Sequence, residues 1–196
     1  MDPRIDTLAG VLDARTALQL PRHDETIEAG VLLVLRTRDP LELLIIKRAE
    51  VEGDPWSGHM ALPGGRREDR DPDLLRTALR ETREETGILV PDAAVFGRLD
   101  EVRPRTRRLV PIIIAPFLAM VPAETEGTPS PREVDALIWV PVPALGSEEA
   151  VSEVVIDLER ESRAFPSLTY NDHVIWGLTH RILTQFLDVA GAAGLV

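Results

Sequence analysis

The chain has 196 residues, no Cys, and 22 Lys+Arg against 33 Asp+Glu, a net charge of −11. The length predicts one domain, residues 1–196, with its own core, and the missing thiols exclude a disulfide scaffold and thiolate metal or redox sites. So negative a surface repels phosphate backbones and anionic lipid, so neither nucleic acid nor membrane is an expected partner; a bound metal ion would invert the field locally for a small anionic substrate.

Residues 3–18 space Ile5, Leu8, Leu12 and Leu18 at a helix-like period, which predicts an N-terminal helix. The segment before it, Met1-Asp2-Pro3-Arg4, has no basic stretch leading into an apolar one, so no signal peptide is expected and the default location is cytoplasmic. Residues 29–35 form a continuous apolar run, the pattern of a strand buried on both faces. Arg38-Asp39-Pro40 reads as a turn, with residues 41–47 as the hairpin partner. A polar loop over 49–58 leads to a short strand, Met60-Ala61-Leu62, ending at Pro63-Gly64-Gly65. A helix is predicted from Pro72 to Thr86, and strands over 93–102 and 109–121. The apolar run at 110–121 contains Pro111 and Pro116 and is too short to span a bilayer. After a Pro/Thr/Glu-rich loop at 122–131, residues 136–140 read as a strand, and 154–158 and 167–170 as weaker ones. A closing helix is predicted over 173–189. Strands and helices that do not strictly alternate point to a mixed α+β layer fold.

The stretch that carries chemistry is Leu62 to Ile88, LPGGRREDRDPDLLRTALRETREETGI. Asp71 is the expected N-cap, Pro72 the first helical residue and Gly87 the stop. At helical spacing Leu75, Ala78, Leu79 and Thr82 share one flank, while Glu81, Glu84 and Glu85 share the adjacent one. Three carboxylates on one helix face repel one another unless a hard divalent cation such as Mg²⁺ or Mn²⁺ takes their oxygens. Arg80, four residues before Glu84, is placed to hold that carboxylate. The Gly64-Gly65 bend lets backbone carbonyls approach the same ion. An acidic face neutralised by Arg76, Arg80 and Arg83 is the competing reading, and the glycine bend with the Arg-Glu-x-x-Glu-Glu-x-Gly spacing outweighs it. The constellation reads as a metal platform for diphosphate chemistry.

These residues resemble the box of the Nudix hydrolases, G-x(5)-E-x(7)-R-E-U-x-E-E-x-G-U with U apolar. Gly65, Arg80, Glu81, Glu84, Glu85, Gly87 and Ile88 match it. Asp71 stands where the first Glu is expected, one residue farther from Arg80, and Thr82 takes an apolar position. The wider chain resembles the coenzyme A pyrophosphatase branch, in Leu44-Ile45-Ile46-Lys47-Arg48-Ala49, in Gly58 to Gly65, in Glu133 to Pro141 and in Ile175-Trp176-Gly177-Leu178-Thr179. Unlike that branch, residues 50–57 carry no second Arg.

The resemblance implies a Nudix-type α/β/α sandwich around a mixed sheet and Mg²⁺- or Mn²⁺-dependent cleavage of a nucleoside diphosphate derivative. Coenzyme A or an acyl derivative leads; ADP-ribose, a dinucleotide, or a non-catalytic nucleotide-sensing module are the alternatives. By carry-over Glu81 and Glu85 are metal ligands, Glu84 a further ligand or the water-activating group, Arg80 its positioner, and a carbonyl at Gly65 or Gly64 completes the inner shell. Glu101 and Glu133 are outside candidates for a general base. The family often pairs, which makes a homodimer an expectation. Arg48, His59 and Gly64 lie where substrate contacts are expected, Arg48 because a guanidinium suits a phosphate. Arg103, Arg105, Arg107 and Arg108 form a basic cluster suited to steering a substrate with an extra phosphate. Trp56 is a candidate for stacking on a base, whereas Trp139 and Trp176 are expected in the core.

Overall fold

The computed structural model describes residues 2–52, 57–104, 111–158 and 161–196. In its first half the elements are α1 (Pro3–Asp13), β1 (Ile27–Arg36), β2 (Glu42–Arg48), β3 (Met60–Ala61), β4 (Gly64–Arg66) and α2 (Leu74–Thr86). Then come β5 (Val95–Arg98), β6 (Ile112–Val121), β7 (Val134–Pro141), α3 (Val142–Leu145), β8 (Val151–Leu158), β9 (Glu161–Tyr170), β10 (His173–Trp176) and α4 (Gly177–Ala192).

The apolar run at 29–35 lacks alternation because both faces of β1 are covered. Val31, Leu33 and Leu35 enter a larger core shared with α1 and α4, while Leu32 and Val34 enter a smaller one beneath Ala78 of α2. Helices thus lie on both faces of a mixed sheet, an α+β sandwich as expected. Along one edge β1 pairs in parallel with β6, from Ile27↔Ile112 to Arg36↔Val121. Its other edge splays: Leu35 and Arg36 pair with β2, whereas Ala29, Gly30 and Val31 pair with β4. The segment from β3 to β4 is wedged into this fork, since β3 pairs with the far end of β2 at Ile46 and Lys47. The fork brings the glycine bend to the middle of the sheet. Strands β8, β9 and β10 form a separate antiparallel sheet.

Several bounds shift from expectation, and three of the differences have a local cause. The first helix ends at Asp13, not Leu18, because the chain beyond it bonds elsewhere: Leu18 N donates to Asp100 (2.9 Å) and Leu20 N to Glu101 (2.7 Å). Residues 173–176 are strand, not helix. Asn171, at φ 51°, opens a tight turn that folds β10 back on β9, pairing His173 with Tyr170. The helix α2 is capped by Asp73, whose carboxylate accepts from Arg76 N at 2.8 Å, and not by Asp71. Among the described residues no helix is long and apolar enough to cross a membrane.

Candidate active site

Helix α2 is seated on β1 at a glycine. A Cβ on Gly30 would lie 2.2 Å from the Leu74 carbonyl, so only glycine allows this approach. The buried flank is Thr77, Ala78, Thr82, Glu85 and Thr86, with Leu75 and Leu79 only partly covered, contrary to the flank expected from spacing. Threonine is tolerated there because its hydroxyl bonds back into the helix, Thr82 to Ala78 O at 2.7 Å and Thr86 to Thr82 O at 2.5 Å. This explains Thr82 at a position that is apolar in the box. Gly87, left-handed at φ 69°, ends the helix as expected.

The acidic residues divide into two groups. Asp71 is buried and fully partnered: it accepts from Arg80 Nε (3.0 Å) and Nη2 (2.9 Å), from Glu68 N (3.0 Å) and from Thr77 Oγ1 (3.1 Å). These bonds, Arg80's above all, hold its carboxyl well below the usual carboxylate range. Arg80 also reaches Glu84 and Glu81, each at 2.9 Å, and the Arg66 carbonyl at 3.2 Å. The expected Arg80–Glu84 contact is present, and Asp71 anchors the arginine from behind. Glu84 is exposed and also bonds Arg70.

Glu81 meets both Arg80 and the glycine bend, while Glu85 is held in the bend. The Glu81 carboxylate lies over Gly65, where a Cβ would come within 2.4 Å of its Cδ. Glu85 is 5% exposed and accepts from Gly64 N at 2.9 Å. Burial raises the pKa of Glu81, and raises that of Glu85 to about 8, with the neighbouring Glu81 and Glu133 charges adding to the Glu85 shift. The Arg48 charge and the Gly64 bond act against that rise but do not cancel it. Glu81 thus shares Arg80 with Glu84 and the glycine bend with Glu85, so Glu84 and Glu85 are drawn to different partners. Among the described residues no three His, Asp or Glu side chains are arranged to enclose a metal ion.

Of the other predicted residues, Arg48 at the end of β2 acts electrostatically on Glu85, and exposed Glu133 acts on both Glu81 and Glu85. The His59 ring packs against Trp176, with centroids 5.1 Å apart. Trp139 is half-buried and packs against the smaller core as expected, with the Arg36 guanidinium 4.2 Å from its ring centroid, whereas Trp176 is half-buried outside the core clusters. Glu101 is buried and held by Arg22 at 2.6 and 2.7 Å, which makes it a brace for the N-terminal segment. Arg103 is exposed and its carbonyl accepts from Arg181. Trp56, Arg105, Arg107 and Arg108 lie outside the described residues. The Asp71–Arg80 clamp was not foreseen; its signal was the acidic residue at the displaced box position.

The NUDIX domain model matches residues 25–158. The chain belongs to the Nudix family. It is 28% identical over 175 residues to the mitochondrial coenzyme A diphosphatase NUDT8 of Homo sapiens, covering 81% of this chain and 72% of that protein. It is 30% identical over 184 residues to an uncharacterized Nudix hydrolase, NudL, of Yersinia pestis, covering 86% and 88%. A MutT/nudix family protein from Enterococcus faecalis has the same fold, with a TM-score of 0.60 at 21% identity over 88% of this chain and 65% of that one. The chain is a Nudix hydrolase, an enzyme acting on diphosphate bonds.

Proposed function

We propose that this Nudix hydrolase is a Mg²⁺- or Mn²⁺-dependent pyrophosphohydrolase that cleaves the diphosphate of a nucleoside diphosphate derivative, coenzyme A or acyl-CoA foremost. The observation that carries the metal-dependent reading is the Glu81–Glu85 pair, half-buried and buried respectively against Gly64-Gly65, with both carboxyls pushed up in pKa. Burial outweighs the Arg80 and Arg48 charges beside this pair, and its all-oxygen donor set suits a hard divalent cation. Similarity to a coenzyme A diphosphatase over 81% of the chain supports the choice of substrate.

In this reading Glu81 and Glu85 hold the metal, with a carbonyl at Gly65 or Gly64 as a further donor. When bound, the ion neutralises the pair and polarises the phosphate oxygens of the diphosphate. Arg80, fixed from behind by Asp71, positions Glu84, which is near enough to solvent to orient the attacking water or to join the ligand set. Arg48 brings a guanidinium to the phosphates from the side of β2. We assign His59 and Arg103 to the remainder of the substrate.

A panel of nucleoside diphosphate derivatives with Mg²⁺ or Mn²⁺, with products identified by mass spectrometry, tests this. Coenzyme A is expected to give adenosine 3′,5′-bisphosphate and 4′-phosphopantetheine. Turnover of ADP-ribose or a dinucleotide alone would move the substrate assignment. No turnover with either metal across the panel would contradict the enzymatic reading of the site.

A further inference from the structure

The separate sheet has two unlike faces. Leu168 and Ile175, paired across β9 and β10, are buried against the larger core. Trp176 and Phe165 lie on the opposite face, half-buried. Their rings are 5.6 Å apart, and His59, just before β3, approaches Trp176. Three rings thus line up outside the core, beside a cavity of about 210 Å³ lined by Lys47, His59, Val154, Asp172, His173 and Trp176.

Size and lining restrict what can enter. Drug-sized ligands occupy pockets of about 300 Å³ or more, so this cavity suits a fragment of a substrate and not the whole. The wall mixes apolar Met60, Val154 and Val174 with polar Lys47, Asp172 and His173, so neither an alkyl chain nor a bare phosphate uses all of it. A flat heteroaromatic ring with polar edges uses both, its face on the rings and its edge on the donors and acceptors.

The position fits a substrate that also reaches the glycine bend. Lys47 and Arg48 are consecutive at the end of β2, where the register against β7 shifts. Arg48 acts on Glu85, while Lys47 lines the cavity and pairs with Asp135 at 2.7 Å. Two cations therefore follow one another around the end of the strand. His59 and Gly64 are separated by at most about 17 Å of extended chain, a span on the scale of a nucleotide.

The geometry points to a nucleobase subsite in this cavity: the substrate's base lies on Trp176 and His59, with its polar edge toward Lys47, Asp172 and His173. This rests on the proposed function, which supplies a substrate that carries a base.

Calorimetry with Mg²⁺ tests it with two probes that share a bridge, α,β-methylene-ADP and methylenediphosphonate, which lacks the nucleoside. The wild-type chain is expected to bind the nucleotide at least tenfold more tightly. Trp176→Leu, which keeps apolar bulk, is expected to weaken the nucleotide about tenfold (1.4 kcal/mol, within the range for stacking of a base on an aromatic side chain) and to leave the diphosphonate unchanged. Trp176→Phe should retain most of the affinity, and His59→Ala should lose part of it without touching the sheet. The subsite is overturned if Trp176→Leu and His59→Ala leave nucleotide affinity unchanged, or if they lower both probes equally. Loss of diphosphonate binding in the wild type, with nucleotide binding that still depends on Trp176, would contradict the diphosphate site and uphold the base subsite.

Discussion

Asp71, in the loop before α2, and Glu85, in its last turn, are each only 5% exposed, and their carboxyls are driven in opposite directions. Asp71 is met by a guanidinium, a hydroxyl and a backbone N–H, which together outweigh the cost of burial. Among the described residues Glu85 accepts one hydrogen bond, from Gly64 N, and burial wins. Depth alone therefore does not mark a functional carboxylate. Asp71 is a structural anchor for Arg80, whereas Glu85 is a buried acid held mainly in its protonated form, which our proposed function assigns to a divalent cation.

The comparison breaks most visibly in activity. Glu85→Gln keeps the acceptor for Gly64 N and removes the charge, and is expected to lower kcat by roughly a hundredfold or more without loss of stability. A near-normal rate in steady-state kinetics would take Glu85 out of the site. Asp71→Ala should act through stability, because removing one partner of a buried ion pair costs roughly 3 kcal/mol. Denaturant unfolding measures this, and an unchanged midpoint would show that Arg80 finds another anchor.

The two residues also predict opposite pH dependence in the metal-free protein. Glu85 titrates near pH 8 when folded and near 4.5 when unfolded. Between those values the folded state holds a proton that the unfolded state has lost, so stability falls as pH rises from about 4.5 to 8. Asp71 is depressed when folded, so its contribution is present above its ordinary pKa of 3.8 and disappears as the solution becomes more acid. Thermal melts of the wild type and of Glu85→Gln across pH 5–8 separate the two; a wild-type slope that persists in the variant would assign it to other groups.

Much of this site is legible in the residues themselves. The glycine bend, the Arg-Glu-x-x-Glu-Glu spacing and the Gly87 stop follow from local rules, and the structure has each of them. The sequence does not show which carboxylates turn inward, because helical spacing places Glu81, Glu84 and Glu85 together and only the close approach of Gly65 and Gly64 separates them. Asp71 reads as a cap because it precedes a proline, but Asp73 caps and Asp71 bonds across the loop to Arg80. The apolar residues of β10 satisfy a helical period equally well, and the turn at Asn171 is what decides for strand. His59 lies near the bend in sequence, yet its ring packs against Trp176, a partner supplied by a strand more than a hundred residues later.

The central claim is that Glu85 waits protonated for a divalent cation. It is tested most directly by Mn²⁺ titration calorimetry near pH 7 in buffers of different ionisation enthalpy. Since Glu85 in the metal-free protein titrates at about 8, binding is expected to release close to one proton per ion, and Glu85→Gln to release none. Mn²⁺ binding with no proton release in the wild type, or with the same release in Glu85→Gln, would contradict the account.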